Sequence, residues 1–209
     1  MAGIIEWGIG IVLGIITAFS YPGIILLMAL ESACIPIPSE VVMPLAGSLV
    51  HDGTFDLISL TIAGTLGNLL GSIAAYWVGM RYGRPFVVKY GRYVLLREKH
   101  LDMAESWFSR YGEATTFFSR VLPVIRTFIS LPAGMAKMNF KKFIIFTTLG
   151  SIPWNFALSY IGYVLHDEWE NVLAWFSAFD IIIVIAVIVL LAVLVRRYLR
   201  GNGKSEEKS

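Results

Sequence analysis

Long apolar runs separated by short polar breaks dominate the chain. Four runs are each long enough to cross a bilayer as a helix: residues 4–30, 57–80, 143–165 and a stretch within 172–195. The first should break at Pro22-Gly23, and the third should be interrupted at Pro153 and Trp154. With no two-residue alternation of the kind that strands show, the pattern predicts an all-α integral membrane protein with transmembrane helices.

Two further apolar segments carry charges and prolines. The first contains Glu31 and Glu40 together with Pro36 and Pro38. Proline removes a backbone donor and clashes with the preceding helical turn, so this segment should bend and not span. We therefore predict a re-entrant helical hairpin over about residues 31–52.

The second segment places Arg120, Pro123 and Arg126 in an equally apolar run. An arginine near a bilayer centre costs about 2.5–3.5 kcal/mol, so two of them in one segment are expected to have partners and a function. The bend at the proline predicts a second re-entrant helical hairpin, over about residues 114–137.

A charged stretch separates the second span from the second hairpin. Apolar residues recur there at three- and four-residue intervals, which predicts an amphipathic helix on the membrane surface over about 97–111. All these elements are expected to form a single polytopic membrane domain over residues 1–200. Residues 201–209 are expected to form a disordered cytoplasmic tail.

The basic residues predict the orientation of this domain. Of the 17 Lys and Arg residues, seven lie in 81–110, three in 137–142, five in 196–208, and the other two are Arg120 and Arg126. The two polar loops predicted between spans, around residues 51 and 166, carry only acidic charge. By the positive-inside rule the basic stretches and the C-terminus are cytoplasmic, so the two hairpins should enter from opposite faces.

An internal repeat supports opposed hairpins. Residues 36–47 and 123–134 share the spacing from a proline to an Ala-Gly pair, and 67–79 and 150–162 share spaced glycines and aromatic residues. Each unit is a bent segment followed by a span of opposite orientation, which is the inverted-repeat pattern of secondary transporters. Residues expected to shape the hairpins are Pro36, Pro38, Gly47, Pro123 and Gly134.

Combined motifs connect the chain to a known family. It resembles the DedA family of bacterial inner-membrane proteins on these residues: Glu31, Pro36, Pro38, Glu40, Phe117, Phe118, Arg120, Pro123, Arg126, Ala133, Gly134, Met138, Phe143, Gly150 and Trp154. The resemblance implies a multi-pass protein of the bacterial cytoplasmic membrane, with two opposed hairpins and a role in moving lipid head groups. It also implies that Glu31, Glu40, Arg120 and Arg126 are the functional residues.

The residue chemistry suits a lipid phosphate. A phosphate anion resists leaving water for hydrocarbon, and guanidinium groups can replace its lost hydration with bidentate, charge-assisted hydrogen bonds. Arg120 and Arg126 are therefore the candidate phosphate ligands. Glu31 and Glu40 are the candidate carboxylates for gating or proton coupling. Trp154 and Asn155 are further candidates for lining the cavity, although core packing explains them equally well.

Several functions remain open at this stage. The favoured function is a flippase-like transporter of a phosphate-bearing lipid, most of all undecaprenyl phosphate for recycling, with the proton motive force as an optional driving force. A phosphatidylethanolamine or general phospholipid flippase or scramblase is one alternative, and a proton-coupled exporter of small cations or drugs is another. A membrane phosphatase ranks lower, because the hairpin offers Ser119, Thr127 and Ser130 but no nearby histidine.

Other partners are not expected. A single cysteine, Cys34, and three scattered histidines give no metal-ligand spacing, so neither a metal nor a cofactor is predicted. The basic residues follow membrane topology, which argues against nucleic-acid binding. The expected partners are membrane lipids and, in the coupled variant, protons, and both a monomer and a homo-oligomer remain open.

Overall fold

A computed structural model describes residues 2–35, 37–90 and 98–166, which form seven α-helices and no strands. The helices are α1 Ala2–Ser32, α2 Ser39–His51, α3 Leu57–Tyr90, α4 Glu98–Ser119, α5 Pro123–Phe128, α6 Ser130–Met135 and α7 Phe140–Val164. Within these residues, three stretches are long and apolar enough to cross a membrane, namely Trp7–Ser32, Leu57–Gly83 and Phe140–Val164. The predictions for Pro36, for the last span within 172–195 and for the tail 201–209 lie outside the described residues.

The predicted break in the first span is confirmed. Ser20 has φ 53° and ψ −134°, so α1 consists of two helical pieces joined at this residue, two positions before Pro22. Proline cannot donate to the preceding turn, which favours a break at this point.

Two predicted boundaries are wrong. Helix α7 runs through Pro153 and Trp154 without interruption, because a proline inside a transmembrane helix removes only one hydrogen bond, which packing against other helices can offset. Helix α4 continues to Ser119, so the predicted surface helix over 97–111 and the first limb of the predicted hairpin over 114–137 are one helix. Its inner face carries the buried residues Phe108 and Thr116.

Two of the long helices, α3 and α7, bury a row of polar side chains and expose apolar ones. On α3 the buried residues include Thr61, Thr65, Asn68 and Ser72, whereas Ile58, Ile62, Leu66 and Leu70 are exposed. On α7 the buried residues include Thr147, Ser151, Asn155 and Ser159, whereas Ile145, Leu149, Ile152 and Phe156 are exposed. Apolar surface turned outward is the arrangement that a lipid environment favours, since hydrocarbon gives no reason to bury it.

Short helices pack on long ones through glycines. A Cβ atom at Gly47 of α2 would collide with the Ser159 carbonyl of α7, and one at Gly162 of α7 would collide with Pro44 of α2. Only glycine allows the two backbones to approach this closely.

The same contact recurs between α6 and α3. A Cβ atom at Gly134 of α6 would meet the Tyr76 carbonyl of α3, and one at Gly79 of α3 would meet the Leu131 carbonyl of α6. The predicted hairpin-shaping glycines, Gly47 and Gly134, therefore lie at close helix contacts.

The two ends of the helices differ in charge. One end, here called the basic end, carries Arg110, Lys137 and Lys142 near the start of α7. At the other end His166 lies 3.3 Å from Asp52. There the Asp56 carboxylate accepts the Ser59 N–H at 2.8 Å, which caps α3 and lowers the pKa of Asp56.

Candidate functional site

Two prolines direct the chain into the candidate site. Pro38 is extended, with φ −74° and ψ 120°, so α2 starts directly after it and Ser39 becomes its first residue. Pro123 begins α5, where its missing N–H costs no helical hydrogen bond. Arg126 then lies on the single long turn of α5, and the Arg126 side chain is 4% exposed.

Arg126 is held by a carboxylate. It forms a buried ion pair with Glu31 at the end of α1 and donates a hydrogen bond to the Ser39 hydroxyl. The Trp154 ring lies 5.5 Å from the centre of the Arg126 guanidinium, a favourable cation–π distance. Charge compensation and hydrogen bonding therefore coincide at this arginine.

Arg120 has a different environment, although it is equally buried at 3% exposure. Its guanidinium donates to the hydroxyls of Ser72 at 3.0 Å, Ser130 at 3.1 Å and Thr147 at 3.2 Å. It also donates to the backbone carbonyl of Arg126 at 3.3 Å. Among the described residues no carboxylate contacts it. We call Arg120 and these three hydroxyls the guanidinium cage.

Contacts between helices determine the position of the guanidinium cage. Arg120 lies in the turn after α4, where its N–H bonds to the Phe117 carbonyl at 3.2 Å. A Cβ atom at Gly150 of α7 would lie 3.0 Å from the Cβ of Arg120, so glycine provides the space in which the arginine enters. The cage thus joins α3, α6 and α7 around one side chain.

Several buried polar atoms in this region have no hydrogen-bond partner within the described part of the chain. They are Glu31 Oε2, Glu40 Oε1, Arg120 Nε, Arg126 Nε, Ser151 Oγ and Trp154 Nε1. Unpaired polar atoms in a buried site are costly, and most such groups in proteins are satisfied by protein, water or ligand. The two guanidinium groups therefore retain donors that a phosphate could accept from.

A hydrogen-bonded seam continues from this region between α3 and α7. The Ser32 hydroxyl donates to Asn68 at 3.0 Å, the Asn68 amide donates to Asn155 at 3.3 Å, and the Asn155 amide donates to Thr65 at 3.2 Å. Side-chain amides and hydroxyls of this kind hold transmembrane helices together. Asn155 is fully buried within this seam.

The structure brings together some of the residues singled out from sequence and not others. Glu31 and Arg126 are in contact, and Trp154 lies against Arg126. Glu40 is close enough for its charge to act on Glu31, but among the described residues it forms no ion pair with either arginine.

Sequence reasoning missed the hydroxyl partners. Ser39, Ser72 and Thr147 were not singled out, and Ser130 was considered only as a nucleophile, although each of the four is fully buried against a guanidinium. A signal was available, because polar residues recur every three to four positions in both long helices, at 61, 65, 68, 72 and at 147, 151, 155, 159. A polar stripe inside a transmembrane helix should face the protein interior.

Comparisons with known proteins agree on one family. The family model described as the VTT domain matches residues 37–164. Undecaprenyl phosphate transporter A of Bacillus subtilis is 39% identical over 185 residues, covering 87% of this chain and 91% of the relative. The protein of that name in Staphylococcus aureus is 27% identical over 188 residues, covering 88% of this chain and 93% of the relative.

Another relative carries a different name. A protein of Lactococcus lactis called alkaline phosphatase-like protein is 34% identical over 192 residues, covering 88% of this chain and 90% of the relative. No solved structure matches the chain.

Proposed function

Because this chain belongs to the VTT-domain family, which is the DedA family, we propose that it transports a phosphate-bearing lipid across the bacterial cytoplasmic membrane. Undecaprenyl phosphate is the proposed substrate, with recycling of this lipid carrier as the purpose. The names of the Bacillus subtilis and Staphylococcus aureus relatives support this substrate. We place the C-terminus on the cytoplasmic side, as the basic residues indicate.

The observation that carries the proposal is the guanidinium cage. Arg120 is buried, and its described contacts are neutral oxygen atoms. Hydroxyl and carbonyl oxygens satisfy its N–H donors but do not compensate its charge, so a phosphate anion would gain Coulomb energy that these oxygens do not supply. An undecaprenyl phosphate head group is a phosphomonoester with three unsubstituted oxygens, which suits two neighbouring guanidinium groups.

Alternating access through two opposed re-entrant hairpins is the proposed mechanism. The glycine contacts support an inverted repeat, because Gly47 with Ser159 and Gly134 with Tyr76 correspond under the spacings found in the sequence. The second pair of contacts, Gly162 with Pro44 and Gly79 with Leu131, corresponds in the same way. We propose that the two hairpins rock about these contacts and present the arginines to each face in turn.

The carboxylates supply the proposed gate. The Glu31–Arg126 ion pair holds the end of α1 to α5 when no phosphate is bound. A phosphate that binds Arg126 would displace Glu31, and a displaced buried carboxylate favours its protonated form. Proton uptake at Glu31, with Glu40 nearby, would in this way link transport to the proton gradient. Trp154 and Asn155 are proposed to line the chamber in which this exchange occurs.

A phosphatase is the second candidate, because a relative carries the name alkaline phosphatase-like protein. Ser72, Ser130 and Thr147 would be the available hydroxyl nucleophiles. Each accepts a hydrogen bond from Arg120, and among the described residues no histidine contacts them to act as a base. Transport without chemical change is therefore preferred to hydrolysis.

Purified full-length protein in liposomes provides the test. Movement of undecaprenyl phosphate and of labelled phosphatidylethanolamine is followed with and without a pH gradient, and released inorganic phosphate is measured in the same samples. We expect undecaprenyl phosphate to move faster than phosphatidylethanolamine, at a rate that the gradient changes, with no phosphate released. Equal movement of both lipids would favour a general scramblase, phosphate release would favour the enzyme, and cation flux without lipid movement would favour an exporter.

A further inference from the structure

A cavity lies at the basic end of the helices, separate from the guanidinium cage. It has a volume of about 450 Å³ and lies between α4 and the segment that joins α6 to α7. Its charged lining residues are Arg110, Lys137 and Lys142, with Glu113 as the one carboxylate among them. The cavity therefore has an excess of positive charge.

The single carboxylate does not block an incoming anion. Glu113 pairs with Lys142, and the two side chains are 48% and 56% exposed. Ion pairs this exposed are weak and exchange readily in water. Among the described residues Arg110 and Lys137 pair with no carboxylate, and the Arg110 guanidinium lies 5.5 Å from the centre of the Tyr111 ring.

The position of the cavity selects the kind of anion. Its wall is apolar where Phe108, Ala136 and Met138 contribute, and charged towards the surface. Beside it on α4 the exposed Trp107 and Tyr111 rings lie 5.0 Å apart. Exposed aromatic rings of this kind are typical of the boundary between lipid and water. A basic cavity at that depth suits a lipid phosphate better than a soluble anion.

We propose that this cavity binds the phosphate of a lipid head group at the membrane surface on the basic end. The chemistry that recognises it is the phosphate, held by Arg110 and Lys137, while the apolar wall contacts the first part of the hydrocarbon chain. Free inorganic phosphate shares the first feature but not the second.

The cavity also lies in line with the guanidinium cage. The buried face of α4 leads from Gly112 at the cavity to Ser119 beside Arg120, about 10 Å along the helix. The Met138 sulfur stands between them, where it accepts a hydrogen bond from Thr116 at 3.3 Å. The cavity is therefore a loading or release station for the lipid, an assignment that rests on the proposed function, whereas phosphate binding itself does not.

Photolabelling tests the proposal. The probe is farnesyl phosphate with a diazirine close to the phosphate, applied to the full-length protein in a phosphate-free maltoside detergent, and labelled peptides are mapped. Label is expected in residues 107–114 and 136–142, with competition by farnesyl phosphate and little by farnesol or inorganic phosphate. In the R110Q/K137Q variant the labelling of this cavity should fall about tenfold, while any labelling near Arg120 should be unchanged. The control K141Q changes an exposed lysine outside the cavity lining and should have no effect.

Three outcomes would overturn the proposal. Label at this cavity that R110Q/K137Q leaves unchanged would exclude a role for its basic residues, and equal loss in K141Q would show general surface charge. Competition by inorganic phosphate as strong as by farnesyl phosphate would assign the cavity to a free anion. Failure of lipid transport in liposomes while the cavity is labelled as expected would overturn the proposed function and leave the binding site in place.

Discussion

Arg120 and Arg126 are six residues apart in the chain and equally buried, yet they have opposite surroundings. Arg126 has a carboxylate partner in Glu31, a hydroxyl in Ser39 and an aromatic ring in Trp154. Arg120 has three hydroxyls and a backbone carbonyl. Arg126 has a partner of opposite charge, whereas the described partners of Arg120 are neutral hydrogen-bond acceptors.

From this difference we infer different roles for the two arginines. Breaking a buried ion pair leaves an uncompensated charge, so Arg126 and Glu31 are expected to hold the resting structure together. Neutral oxygens can be exchanged for phosphate oxygens with a gain in Coulomb energy, so Arg120 is expected to bind the anion first. We therefore propose that Arg126 acts mainly as a latch and Arg120 mainly as a ligand.

The largest effect is expected from breaking the latch, which is the Glu31–Arg126 ion pair. Replacing Glu31 by Gln should lower the free energy of unfolding in mixed micelles by about 3–5 kcal/mol, because Arg126 stays buried without a counter-ion. Replacing both residues by Leu should recover most of this loss. Glu40→Gln is the matched control, since Glu40 forms no ion pair with either arginine, and a loss equal to that of E31Q would contradict the latch.

The next effect concerns the ligand. Arg120→Lys should slow undecaprenyl phosphate movement in liposomes by about 10- to 100-fold, because an ammonium group cannot reproduce the planar fork of donors. Arg81→Lys alters an exposed arginine and should leave the rate unchanged. Wild-type rates in R120K protein would show that the fork geometry of Arg120 has no part in transport.

Glycine substitutions test whether both halves of the molecule use the same contact. Gly47→Ala and Gly134→Ala should each cost about 1–3 kcal/mol of unfolding free energy, because the added Cβ meets a backbone carbonyl that cannot move aside. Gly10→Ala introduces a Cβ with no atom within 4 Å and is the control. A loss of stability at only one of the two positions would show that the two halves do not depend on the same kind of contact.

The smallest effect concerns one hydroxyl of the cage. Thr147→Val removes one acceptor of Arg120 and should cost about 1 kcal/mol of unfolding free energy. Thr148→Val, at the next residue along α7, removes a hydroxyl that Arg120 does not contact and serves as the control. Equal losses in the two variants would show that the hydrogen bond to Arg120 adds no stability.

The apolar composition of the chain made much of the fold predictable. The apolar runs, the break near Pro22 and the helical class follow from local sequence. Gly47 and Gly134 were singled out from sequence as residues that shape the hairpins, and the structure places both at close helix contacts. The boundaries of α4 and α7 were mispredicted because helix continuity through Pro153 and past residue 111 depends on packing against other helices.

The candidate site was only partly predictable, for a physical reason. Charged residues in an apolar segment stand out in a sequence, which is why Glu31, Glu40, Arg120 and Arg126 were found. Ser72 and Thr147 lie in long apolar helices and Ser130 in a short one, where such residues are ordinary, and only the fold reveals that they meet at one guanidinium. The difference between the two arginines was therefore not readable from the sequence.

The most direct measurement detects phosphate beside Arg120. Dipolar recoupling between 31P of bound farnesyl phosphate and 13Cζ of labelled arginine is recorded on R110Q protein in maltoside detergent, so that Arg110 does not contribute. We predict a 31P–13Cζ contact of about 4 Å, as a charge-assisted pair requires, which becomes clearly weaker in R110Q/R120Q protein, where only Arg126 remains to contact the phosphate. A contact of unchanged strength after removal of Arg120, or no contact in R110Q protein that binds farnesyl phosphate, would contradict phosphate binding at Arg120.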